Sequence, residues 1–145
     1  MKSLTLPLSA AAAALLLASP ALAEKAQGGA KLSTTLSGAS EVAAGDTDGA
    51  GSFSATVNPG QKQVCYELTV SNIETATMAH IHEAAAGANG PVVVPLTAPA
   101  SGESKACATV TRELALDLIK SPEHYYVNVH NAPFPSGAVR GQLSK

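Results

Sequence analysis

The chain has 145 residues, with 9 Lys and Arg against 11 Asp and Glu, a formal net charge of −2 and 46% hydrophobic residues. That length suits one domain with its own core. The absence of a basic excess argues against nucleic acid and anionic membranes as partners.

The N-terminal stretch "MKSLTLPLSAAAAALLLASPALAEK" opens with Lys2, continues apolar and reaches Ala21-Leu22-Ala23, a small-x-small cleavage site. It reads as a secretory signal peptide over residues 1–23. A retained membrane helix would need about 20 uninterrupted apolar residues, and Ser3, Thr5, Pro7, Ser9, Ser19 and Pro20 break this run. The expected product is periplasmic or secreted, with no membrane contact after cleavage near Ala23. Residues 24–31, polar and Gly-containing, read as a flexible leader, and 32–145 as the domain.

From "LSTTLSG" onward the texture is β, with many Val, Thr and Ser and frequent Gly and Pro breaks. "GDTDGAG" (Gly45 to Gly51) is a turn or loop. It lacks the ligand count and closing Glu of an EF-hand loop, so a solvated turn is preferred to a calcium site. "SFSATV" alternates as a strand. "NPGQ" (Asn58 to Gln61) is turn chemistry, with Pro presetting φ and Gly60 free to take positive φ. "KQVCYELTV" puts Val64, Tyr66, Leu68 and Val70 on one face and Cys65, Glu67 and Thr69 on the other. The two strands with their turn read as a hairpin. Further strands follow in "TMAHIH", "PVVVPLT" and "KACATVT". "TRELALDLIK" breaks the pattern. Leu114, Leu118 and Ile119 fall near helical spacing, Thr111 offers an N-cap and Pro122 blocks continuation, which predicts a helix over 112–120. "YYVNVH" is a strand, "NAPFPSGA" a loop and "VRGQL" a last short strand. Closely spaced strands with Gly/Pro punctuation predict an all-β, antiparallel Greek-key sandwich or barrel with that one helix.

Cys65 and Cys107 are the two cysteines. In an exported chain they default to a disulfide, and neither sits in a CxxC or other activating motif.

Four histidines carry the chemistry: His80, His82, His124 and His130. On a strand, residues i and i+2 share a face about 6.6 Å apart, so His80 and His82 can converge on one metal while Ile81 turns to the other side. His-x-His alone is a weak signal, and a third ligand must come from elsewhere. His130 ends an apolar strand at the start of a loop, a usual place for a functional residue. His124 lies in a polar helix-to-strand loop and reads as solvated. Met78 shares the face of His80 and His82. Its thioether suits Cu(I), but packing in the core is the preferred reading. Glu83 and Asn128 are candidates to orient the imidazoles from behind. A histidine set without an obvious carboxylate suits copper or zinc rather than calcium or magnesium. No Ser-His-Asp set and no glycosidase carboxylate pair can be assigned.

At this point "AHIHEAAAGANGPVVVPL" and "YYVNVHNAPFPSGAVRGQL", with the "LSGASEV" opening and the "VCYELTV" strand, resemble the CHRD domain, a family named from chordin. The resemblance spans about Leu32 to Leu143 and implies an extracytoplasmic domain but no particular activity. A more distant resemblance, to the copper/zinc superoxide dismutases, implies a superoxide-dismutase-like Greek-key fold and carries chemistry. His80, His82 and Glu83 match its His-x-His-Glu strand, His130 its later copper ligand, and Arg140 is placed like the arginine that guides the anionic substrate. Nothing matches the bridging histidine or the zinc loop, so the comparison implies copper without zinc. Arg140 reads equally as a charge on an edge strand. Two functions remain open. The first is an exported copper-binding domain for copper handling or redox chemistry on a small oxygen species such as superoxide, a copper-only dismutase if it is an enzyme. The second is a metal-free interaction module with an unknown protein partner, contacting it through the "AAAGANGP" loop.

Overall fold

The computed structural model describes residues 29–145. The expected signal peptide, residues 1–23, and most of the expected leader, 24–31, lie outside the described residues. Eight strands follow in order: β1 (Ala30–Ser37), β2 (Ala50–Asn58), β3 (Gln63–Ser71), β4 (Ala76–Glu83), β5 (Val92–Leu96), β6 (Glu103–Thr109), then after a helix β7 (Tyr125–Asn131) and β8 (Val139–Gln142). The helix, α1, covers Arg112–Lys120, the span expected from its cap and spacing. Strand β1 takes in Ala30 and Lys31, so it begins two residues before the predicted start of the domain.

All strand pairings are antiparallel, in the order β5-β4-β7-β8-β1-β2-β3-β6. The two outermost strands, β5 and β6, lie next to each other and nearly close the sheet into a barrel. Ser104 on β6 donates its hydroxyl to the Thr97 carbonyl across that seam at 2.8 Å, and the Thr97 amide donates to the Tyr66 hydroxyl at 2.7 Å. With the seam counted, β4, β5 and β6 run side by side. Strand β7 then returns by way of α1 to pair with β4, which is a Greek key.

The β2–β3 hairpin forms at "NPGQK" as expected, but its backbone differs. Gly60 does not take the positive φ; Lys62 does, at 53°. Lys62 N–H donates to the Pro59 carbonyl, and Gln61 N–H donates to Asn58 Oδ1 at 3.0 Å. The turn is thus one helical turn closed by a left-handed residue, and the Asn58 side chain holds its start. Helix α1 is capped by Thr111 Oγ1, which accepts from Leu114 N–H at 3.1 Å. Its Ala115 and Leu118 join the barrel core. Strands β3 and β6 carry Cys65 and Cys107 as direct cross-strand partners, joined as a disulfide with Cα atoms 3.9 Å apart. Such a bond points to an oxidising, extracytoplasmic compartment.

The interior is filled by Leu32, Leu36, Phe53, Val57, Val64, Leu68, Ile81, Val94, Val127, Val129 and Val139 with their neighbours. Most strands bury one face. Strand β7 is different: all seven residues of "YYVNVHN" are buried. Tyr125, Val127 and Val129 face the core, so Tyr126, Asn128 and His130 face outward and are covered by something else. That cover is the candidate site.

Candidate metal centre

Strand β4 buries Ala79 and Ile81 and therefore turns Met78, His80 and His82 outward. In the β4–β7 ladder Met78 is opposite His130, His80 opposite Asn128 and His82 opposite Tyr126. On the next strand Arg140 is opposite Asn128, and Gln142 opposite Tyr126. The register therefore assembles a two-strand histidine cluster, although 50 residues separate His80 from His130. His80 Nδ1 and His130 Nε2 are 3.2 Å apart. His80, His82 and His130 each offer one nitrogen, and these nitrogens lie within 4.8 Å of one another. With metal–nitrogen bonds near 2 Å, the rings would have to draw closer for all three to reach one ion.

The remaining ring nitrogens show which atoms are available. His82 Nδ1 is 2.9 Å from the Gly90 carbonyl, and His130 Nδ1 is 3.0 Å from the Pro135 carbonyl. A carbonyl only accepts, so Nδ1 carries the hydrogen in both rings and each neutral imidazole keeps its lone pair on Nε2. His82 Nε2 is buried and has no hydrogen-bond partner. An acceptor buried without a partner is costly, and a cation among the three rings would satisfy it. Burial holds both His80 and His130 below the ordinary histidine range. Charge on neighbouring imidazoles adds to this, while the Pro135 bond opposes it at His130. Neutral rings are the form that binds metal.

The groups behind the imidazoles are therefore backbone carbonyls, not the side chains singled out above. Glu83 is exposed and bonds no histidine. Asn128 donates from Nδ2 to Glu41 Oε1 at 3.2 Å, and its own Oδ1 is buried without a partner. Burial raises the Glu41 carboxyl above its usual range, against the opposing pull of the Asn128 amide and the Arg140 charge. Met78 is not a core residue: it is 49% exposed, because β4 turns it outward with the histidines. His124 lies in the exposed end of the turn Pro122–His124, outside the cluster.

Arg140 is built into the centre from below. It is 1% exposed. Its guanidinium donates to the Ala88 carbonyl at 2.6 Å, to Asn89 Oδ1 at 3.2 Å and to the Ala85 carbonyl at 3.3 Å. It also lies 3.3 Å above the Tyr126 ring, and that ring stacks on His82 with centroids 4.8 Å apart and planes 4° from parallel. Since Tyr126 is on the middle strand, His82 and Arg140 flank it from either side. Steering an anion needs an open guanidinium; this one is occupied in holding the 84–90 loop. Gln142 Nε2 donates to the Ala84 carbonyl at 2.7 Å, and the Gly90 amide donates to the Tyr126 hydroxyl at 3.3 Å. The loop so fastened presents the Gly90 carbonyl to His82. The motif "GANGP" follows from this. Gly87 has φ +80°, Asn89 accepts from Arg140, and a side chain at Gly90 would collide with the Glu83 carbonyl.

Tyr126 and Gln142 were not among the expected site residues, although alternation along β7 and β8 places them with Asn128 and Arg140. The Gly90 and Pro135 carbonyls carry no residue-type signal at all.

Residues 32–143, a span that includes the ladder, the three histidines and the loop, match the CHRD domain. The chain belongs to the CHRD domain family. No curated protein and no solved structure matches it. In this CHRD domain the two most distinctive sequence blocks are thus the two sides of one site. "AHIHEAAAGANGP" supplies two imidazoles and the loop, and "YYVNVHNAPFPSGAVRGQL" supplies the third imidazole and the residues that hold the loop.

Proposed function

We propose that this CHRD domain is an exported metal-binding protein that holds one copper ion through His80, His82 and His130. The observation that carries this reading is the buried, partnerless His82 Nε2, aimed into a group of three convergent imidazoles. The donor chemistry suits copper or zinc. Three neutral nitrogens with no carboxylate or thiolate among them do not suit calcium or magnesium. Both cysteines are committed to the disulfide. The choice of copper over zinc rests on the sequence resemblance of His80, His82, Glu83 and His130 to the copper ligands of the copper/zinc dismutases, in which nothing matches the zinc loop.

Bound copper would supply one-electron chemistry toward a small oxygen species such as superoxide. The chain's own residues do the rest. The Gly90 and Pro135 carbonyls fix the tautomers of His82 and His130, and Tyr126 holds the His82 ring in plane. The 84–90 loop shields that side from water. Arg140 lies beneath the loop and is not open to guide an anion inward, which favours copper handling over rapid turnover.

A metal-free reading draws on the same hydrogen bonds, with His82 and His130 serving only to tie loops to strands. Copper titration followed by electron spin resonance separates the two. Metal binding predicts one equivalent with nitrogen couplings, which His82→Ala and His130→Ala each reduce. Absence of a defined nitrogen-ligated signal in the wild-type protein would leave the loop-tying role alone. A superoxide assay on the loaded protein then distinguishes an enzyme from a carrier.

A further inference from the structure

Four large apolar side chains are exposed among the described residues: Val42, Met78, Val92 and Leu116. Met78 is the one that lies within the histidine register. It precedes His80 by one step on the same face and is the direct cross-strand partner of His130. Direct partners have Cβ atoms about 4.5–5.5 Å apart, closer than the diagonal spacing of about 7–8 Å. His80 is diagonal to His130, and their ring nitrogens nonetheless come to 3.2 Å. A methionine, longer and more flexible than an imidazole and starting from a nearer Cβ, is long enough to reach the same point.

The backbone is arranged to allow this. The β4–β7 register shifts between Ala76 and Met78, and the extra residue, Thr77, is tied by its hydroxyl to the His130 carbonyl at 3.3 Å. Bulges beside functional sites commonly re-aim the next side chain. This one returns Met78 to the outward face. Met78 is 49% exposed, so packing in the core does not account for its place. No other sulfur donor is available among the described residues, because Cys65 and Cys107 are bonded to each other.

Building on the copper reading above, we infer that Met78 Sγ is a fourth ligand and that the centre is built to hold copper as Cu(I). A thioether is a soft, neutral donor that binds Cu(I) well and adds little to Cu(II), for which three imidazoles already supply the strong ligands. Removing it should therefore affect the two oxidation states unequally.

The test compares wild type, Met78→Leu and His130→Ala. Cu(I) affinity is measured without oxygen by competition with a chromogenic cuprous chelator, Cu(II) coordination by spin resonance, and the Cu(I) ligand shell by X-ray absorption. The expected result is a sulfur shell in the wild type that Met78→Leu removes. Cu(I) affinity should fall about tenfold or more in that variant, with the Cu(II) nitrogen couplings unchanged. Equal Cu(I) affinities with no sulfur shell would overturn the Met78 assignment while leaving the three-histidine site in place. Failure of the wild-type protein to bind copper in either state would overturn the copper reading itself. Because Met78 is exposed, Met78→Leu should fold normally, and an unchanged thermal midpoint checks this.

Discussion

The outer face of β1-β2-β3-β6 and the outer face of β4-β7-β8 enclose one hydrophobic core but are finished differently. The first carries short hydroxyls and a few charges: Ser33, Ser52, Ser54 and Glu67 are all exposed. Its ordering comes from covalent chemistry, the Cys65–Cys107 bond. On the second, Tyr126, Asn128, His130 and Arg140 are all buried, and the ordering comes from hydrogen bonds to covering loops. Solvated polar groups on a sheet face need no partners; buried ones need all of theirs. The two unsatisfied buried side-chain atoms among the described residues, His82 Nε2 and Asn128 Oδ1, both fall on the second face. A polar network that is nearly complete and open at a point of nitrogen convergence is what makes that face the candidate site.

If this contrast is right, the two faces should respond independently. The largest effect on stability is expected from Cys65→Ser with Cys107→Ser. Opening a closed loop of this size should cost about 4 kcal/mol, read as a lower denaturant midpoint, yet leave metal affinity unchanged. A parallel fall in affinity would show that the faces are coupled. Next comes Arg140→Met. It removes three hydrogen bonds made by a buried guanidinium and should cost about 3 kcal/mol. Unlike the cysteine pair, it should also weaken metal binding, because the loop that presents the Gly90 carbonyl to His82 loosens. Full affinity in Arg140→Met would separate the loop from the centre.

A smaller effect concerns pH. His80 and His130 have folded-state values below the ordinary histidine value of about 6.5. The unfolded chain therefore takes up protons first as pH falls. The stability these rings contribute is present above about 6.5 and is lost as pH drops through their folded values. Urea midpoints at pH 7.5 should exceed those at pH 5.5, and His80→Ala should flatten the slope. Glu41, raised by burial, acts in the opposite sense nearer its own ordinary range. The smallest effect is expected on the solvated face. Glu67→Gln breaks the ion pair with Lys105, but both side chains are more than half exposed, so neither stability nor metal affinity should change measurably.

Much of the barrel was legible from local chemistry. Thr111 and Pro122 bracket α1, the Pro-Gly turn makes the β2–β3 hairpin, and period-2 alternation sets the inward residues of β3. Membership of His130 in the site followed from its family motif. What local pattern could not show was which strands become neighbours. The β4–β7 pairing spans the whole helical connection and is decided by Greek-key closure, not by either strand alone. Nor does alternation say which outward residues will be covered. It placed Met78 on the face of the histidines, but whether that face was core or surface depended on loops elsewhere in the chain. The same blind spot led to expecting Arg140 in the open, when its neighbours are three groups of the 84–90 loop.

The seam between β5 and β6 has a consequence for motion. Each of these strands has a ladder on one side only, so amide protons there should exchange with solvent soonest, and those of β7, buried on both faces, last. Strand β5 borders β4 at His80 and His82. Thermal breathing of the barrel should therefore begin one strand from His80 and His82, while His130 is anchored in the strand expected to exchange last. An ion held by all three would bridge the fast and slow parts of the protein, and its arrival should be visible as slowed exchange in β5, a strand that supplies none of the three imidazoles.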